Sequence, residues 1–235
     1  VGLGLKPQLC YNDAMKFKIF EKFLENNNNK ELSYFLIQKY NEMSSKEIET
    51  RYPGKDTDFD DMETDTLIGD YVATGSVSTM KWKDYNVFQY YEENIYNIFI
   101  GLKDLVKEGC DFYNINLKDQ KYMVQGWFNI NSVGHGKLDW HRHNPKNITV
   151  DFNFHGYCGV NIEPSVTMYK DDENNIYENI NQNNKMILSN SNFYHSMKDW
   201  DWSGARISLA YDVSPLKWVQ ENAWDKGQHW IPLGY

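Results

Sequence analysis

Residues 191–212 read SNFYHSMKDWDWSGARISLAYD, and the way this stretch is parsed decides the fold. Its end alternates: Arg206 and Ser208 fall on one face of an extended chain, Ile207 and Leu209 on the other. Both faces of such a strand need something to pack against. Inside a small barrel an unpaired guanidinium is costly, so Arg206 calls for an anion. Its planar fork suits a carboxylate held by two parallel hydrogen bonds, and the Ser208 hydroxyl, two residues on, can donate to the same group. The competing reading is an arginine paired with a buried Asp or Glu of the protein itself. His195 stands 11 positions before Arg206, at a strand end.

From about residue 120 the same short, β-branched or aromatic pattern recurs. KYMVQGWFNIN, NITVDFNFHGYCGVNI, SVTMYKDD, NIYENI, KMILSN and ARISLAYDV are separated by Gly, Asn, Pro and Asp. So many strands in about 100 residues predict an antiparallel sandwich or open barrel. Upstream of 120 the period is helical. Helices are expected over 13–25, 30–43 and 88–109, the last stopped by Gly109, with a short capped helix in SSKEIETRY (44–52). The acidic segment 52–66 carries Pro53-Gly54 and lacks the spacing of a calcium loop, so it reads as a solvated loop. Residues 215–235 read as an irregular tail pinned by Trp218, Trp224 and Trp230. The fold class is therefore α+β: one domain over 1–235, with a helical support region (1–119), a β core (120–214) and the tail.

The stretch LDWHRHNP (138–145) adds chemistry to that core. On a strand His141 and His143 share a face, and Asp139 joins them if the strand extends that far back. Two imidazoles held this way can take adjacent positions on one metal ion.

The composition narrows the class. The 235 residues are 41% hydrophobic, 24% charged and 16% aromatic, with 17 Tyr and 8 Trp, as suits a globular β-rich core. No apolar run reaches membrane-span length, and the first residues do not read as a signal peptide. Cys10, Cys110 and Cys158 are few and scattered. They read as free core thiols of a reducing compartment, which points to the cytoplasm. A net charge of −9 argues against a nucleic-acid partner. The abundance of Asn, Lys, Ile and Tyr suggests an AT-rich genome; if that genome is viral, the cytoplasm is the host's.

His-x-His, a distal His, and Arg-x-Ser about ten residues beyond it resemble the iron(II)/2-oxoglutarate-dependent oxygenases, over residues 121–213. GWFNINSVGHGKLDWHRHN (126–144) is similar to a branch of these enzymes found in phages and bacteria. The resemblance implies a double-stranded β-helix, a jelly roll of cupin-like form. It matches His141 to the first iron ligand and His195 to the distal one. Arg206 then pairs with the C5 carboxylate of 2-oxoglutarate, assisted by Ser208. It implies Fe(II) and 2-oxoglutarate as cofactors, O2 as co-substrate and, most simply, hydroxylation of a small-molecule or peptide substrate.

His143 is a departure, since the family pattern has Asp or Glu there. Three readings stay open. His143 is the third ligand of a three-His centre; or a carboxylate from elsewhere completes the site, with Asp139 and Asp151 as candidates and His155 a weaker one; or His143 stands behind the ligands and water or chloride fills the open position. Two other functions compete: a cupin-type three-His metalloenzyme without 2-oxoglutarate, and a non-catalytic phage structural or interaction protein on the same fold. Trp127 and Asn129 read as strand packing. Tyr157, Tyr169 and Trp140 read equally as core or pocket wall, His135 as a loop residue, and His229 as a tail residue with no partner.

Overall fold

The alternating run does form a strand with neighbours on both sides. In the computed structural model, which describes residues 16–44, 76–131, 138–143, 153–198, 204–222 and 228–235, β10 (Arg206–Pro215) lies between β3 (Tyr122–Asn131) and β5 (Phe154–Asn161). β8 (Lys185–Asn190) and β1 (Ile19–Phe23) extend this large sheet beyond β5. On its other side β3 pairs with β2 (Ser76–Ser78) and β11 (Ile231–Pro232). A second, four-stranded sheet runs in the order β4 (Leu138–His141), β9 (Tyr194–Met197), β6 (Val166–Lys170) and β7 (Ile176–Ile180). Among the described residues every pairing is antiparallel, giving the two-sheet sandwich that the strand pattern predicts, in the jelly-roll form that the resemblance implies.

The hydrophobic mass sits on the outer face of the large sheet, beneath helices α1 (Asn29–Ser44) and α2 (Glu93–Phe112). Phe20, Phe154, Leu188, Leu209 and Val213 are fully buried there with Leu36, Ile98 and Leu105. Glu92 caps α2 by accepting a hydrogen bond from the Ile95 N–H at 2.7 Å. The helix does not stop at Gly109. It continues to Phe112 and closes through Asn114, whose left-handed φ of 57° lets the chain turn back. Gly109 is needed for contact instead: a Cβ there would lie 2.9 Å from the Phe154 ring.

The expectation of a helical N-terminal half needs correction. Residues 30–43 are helical, but the run expected to be a helix over 13–25 contains β1, whose five residues pair with the free edge of β8. Phe17, Phe20 and Leu24 suit a helical stripe. The open sheet edge offers backbone hydrogen bonds that local periodicity does not reveal. The C-terminal segment is likewise not irregular: it holds helix α3 (Leu216–Asn222) and β11, with Trp218 and Trp230 packed edge to face at 6.2 Å. Trp224, Cys10, His135, most of 44–52, and all of 52–66 lie outside the described residues.

Cys110 and Cys158 are buried free thiols, and burial pushes them up to about 11 and about 12, so both are inert core residues. Among the described residues no helix is long and apolar enough to cross a membrane.

Candidate metal centre

Between the two sheets the lining turns polar, and this is where the predicted residues meet. Cross-strand register builds two facing rows. On the small sheet His141 of β4 stands opposite His195 of β9, which stands opposite Tyr169 of β6. On the large sheet Gln125 of β3, Asp212 of β10 and His155 of β5 are in register. His143, just past the end of β4, connects the rows: its Nδ1 lies 2.8 Å from Asp212 Oδ1.

Four imidazoles gather as a result. Ring centroids are 4.1 Å apart for His141 and His195, 5.2 Å for His143 and His195, 3.8 Å for His143 and His155, and 4.3 Å for His155 and His195. Two groups have donor atoms within 4.8 Å of one another: His141, His143 and His195; and His143, His155 and Asp212. Buried Trp127 stacks on the far side of His143 at 6.1 Å, so it packs as expected and also braces a candidate ligand.

Two of the rings named from the sequence are oriented from behind: His141 Nδ1 lies 2.8 Å from the main-chain oxygen of Asp139, and His143 Nδ1 faces Asp212. Metal-binding histidines are held in this manner, through the nitrogen that does not coordinate. Burial, the largest cause, pulls the pKa of His141, His155 and His195 down, to about 3 for His155, and the neighbouring rings push in the same direction. These rings are neutral at physiological pH, the state a metal requires. Burial alone would raise the Asp212 carboxyl, but His143 and His155 outweigh it and hold the group well below the usual carboxylate range. Neutral imidazoles with one carboxylate beside them suit a divalent first-row metal.

Asp139 does not join the group: its side chain is exposed, and only its carbonyl reaches His141. Asp151 lies outside the described residues. His155, the weaker candidate, is in the cluster. Asp212 was missed, although the alternation that turns Arg206 and Ser208 inward carries Asp212 to the same face.

Further along that face the interior is built around Arg206, which is buried. Its Nε and Nη1 lie 3.4 Å from the hydroxyls of Ser165 and Ser208 respectively. Burial lowers its pKa to about 10, opposed by Tyr157, so it remains a cation. The Tyr157 hydroxyl donates to Thr167 Oγ1 at 3.1 Å and also bonds Asn181, which makes Tyr157 part of this polar lining. Trp140 points the opposite way from His141, with Lys170 over its ring at 4.4 Å. His229 meets Asn86 through its carbonyl at 2.9 Å and is in neither candidate group.

No protein-family model matches this chain, and neither does any curated protein. Solved structures do. A prolyl hydroxylase from Trichoplax adhaerens, in complex with a peptide of the hypoxia inducible factor oxygen degradation domain, aligns with a TM-score of 0.52 at 13% identity. The alignment covers 88% of this chain and 87% of the hydroxylase. SnoK, a non-heme α-ketoglutarate-dependent carbocyclase from nogalamycin biosynthesis, aligns with a TM-score of 0.50 at 7% identity, over 83% of this chain and 79% of its own. The match to the non-heme monooxygenase ThoJ, a nickel complex, has a TM-score of 0.33 at 12% identity and spans 40% of this chain and 45% of that one. At such identities the likeness to the hydroxylase and to SnoK is one of fold, and it supports the jelly roll expected for this chain.

Proposed function

We propose that the protein is an iron(II)- and 2-oxoglutarate-dependent oxygenase, most simply a hydroxylase of a small-molecule or peptide substrate. The observation that carries this reading is the pairing of two features in one interior. Three histidines, His141, His143 and His195, converge between the two sheets, and a buried Arg206 stands with two serine hydroxyls along the same lining.

His141, His143 and His195 would hold Fe(II), leaving coordination positions for 2-oxoglutarate and O2. Iron and 2-oxoglutarate together supply the oxidation: one oxygen atom enters the substrate as the other enters succinate, and CO2 leaves. The chain's own part is placement and exclusion. Arg206 and Ser208 receive the distal carboxylate, Tyr157 and Thr167 line the path, and Tyr169 seals the wall behind His195. That two inert thiols occupy the core fits work in a reducing cytoplasm.

The test is anaerobic addition of Fe(II) and 2-oxoglutarate to the purified chain. A visible metal-to-ligand charge-transfer band is expected, weakened in Arg206→Ala. Absence of the band in the wild type overturns the reading.

A further inference from the structure

We propose that Asp212 supplies the negative charge that the His-x-His motif omits, acting through His143 as a positioning residue rather than as a ligand. This rests on the three-histidine centre proposed above. Its starting point is a carboxylate oxygen in an otherwise expensive place. Asp212 Oδ1 is sealed from solvent and takes no aligned hydrogen bond, although two ring nitrogens approach it: His143 Nδ1 at 2.8 Å and His155 Nδ1 at 3.4 Å. His155 Nδ1 is itself buried and without an aligned partner. Among the described residues, Asp212 forms ion pairs with these two rings alone. A charged carboxylate whose Oδ1 is sealed in this way is costly unless a positive charge stands close by.

A cation on the other side of His143 meets that need. With Nδ1 turned to Asp212, the nitrogen that His143 offers to His141 and His195 is Nε2. The carboxylate would stand behind the ring that holds the metal and would make that ring a stronger donor. His155 stacks on His143 with centroids 3.8 Å apart and planes 26° apart, and so limits ring rotation. Usual sites of this fold place the carboxylate on the metal. Here it stands one imidazole away, on the neighbouring sheet.

The experiment is titration of the apo full-length chain with Co(II), followed by its visible d–d absorption, for wild type, Asp212→Asn, Asp212→Glu and Asp212→Ala. Folding of each is checked by circular dichroism. Wild type should bind one Co(II) per chain. Asp212→Asn keeps size and an acceptor oxygen but loses the charge, and should weaken binding about 10–100-fold. Asp212→Glu should recover much of that loss. At saturation Asp212→Asn should show the wild-type band shape, because the ligand set is unchanged. Wild-type affinity in Asp212→Asn, an altered band shape at saturation, two Co(II) per chain, or no Co(II) binding by wild type would each overturn the proposal. Failure of an Ala variant to fold leaves the Asn and Glu variants decisive. No 2-oxoglutarate enters this titration, so one-Co(II) binding with the expected Asn loss, but without the charge-transfer band, refutes the oxygenase reading alone.

Discussion

His141 and His195 face each other across adjacent antiparallel strands, their rings 4.1 Å apart at the centroids. Sheet register brings them together, not loop conformation, so neither ring is free to leave. Replacing either by alanine should leave the jelly roll folded and remove a metal donor. We expect Co(II) or Fe(II) affinity to fall by more than the 10–100-fold usual for residues one shell further out. Isothermal titration of the apo variants measures this, and retained affinity in His195→Ala would remove His195 from the centre.

Arg206 should separate co-substrate binding from metal binding. Arg206→Ala removes a charge-assisted contact worth about 1.5–3 kcal/mol, so 2-oxoglutarate should bind roughly 10–100-fold more weakly while Fe(II) affinity stays near wild type. Arg206→Lys should restore little, since an ammonium lacks the planar fork. Anaerobic titrations with each component in turn read the two affinities. Equal loss of both would tie Arg206 to the fold.

Much of this was legible in the sequence because β-alternation is a local signal. KMILSN coincides with β8 at both ends, and ARISLAYDV lies within β10 but for its first residue. His141 and His143 stand out by strand alternation, and His195 and Arg206 by the resemblance to the oxygenase pattern. What escaped depends on long-range register. β1 was hidden because its pairing with β8 joins residues more than 160 positions apart, such as Ile19 and Ser189. Asp212 became visible as part of the centre only when β10 brought it beside His155 of β5, with His143 arriving from the other sheet. Alternation shows which face Asp212 occupies, but not what stands opposite.

Gly156 tests the wall behind the site. A Cβ there would come within 1.9 Å of the Ile187 carbonyl oxygen and 2.7 Å of the Tyr211 ring, and a backbone carbonyl cannot swing aside. The Tyr211 hydroxyl donates to that same Ile187 oxygen at 2.9 Å. Gly156→Ala should therefore cost about 1–3 kcal/mol, visible as a lowered Tm, and should disturb His155 next to it. A Tm equal to wild type would contradict the close approach of these strands.

Acid should destabilise the apo protein well before ordinary carboxylates titrate. His155 and His195 have depressed pKa values in the folded state, about 3 for His155, against about 6.5 when unfolded. Above pH 6.5 neither state binds these protons, so the rings make no difference. Below it the unfolded chain takes them up while the folded chain refuses, and stability falls by about 1.4 kcal/mol per pH unit for each ring. For His155 this slope continues down toward pH 3, and the lowered pKa values of His195 and His141 add to it in the same direction. Asp212 acts in the same direction at the lower end, since its depressed carboxyl favours the folded state above the unfolded value near 3.9 and loses that contribution in stronger acid. Urea unfolding of the metal-free chain between pH 7 and pH 5 measures the slope. It should be shallower in His155→Gln, whereas an identical slope in that variant would mean that His155 takes its proton in the folded state.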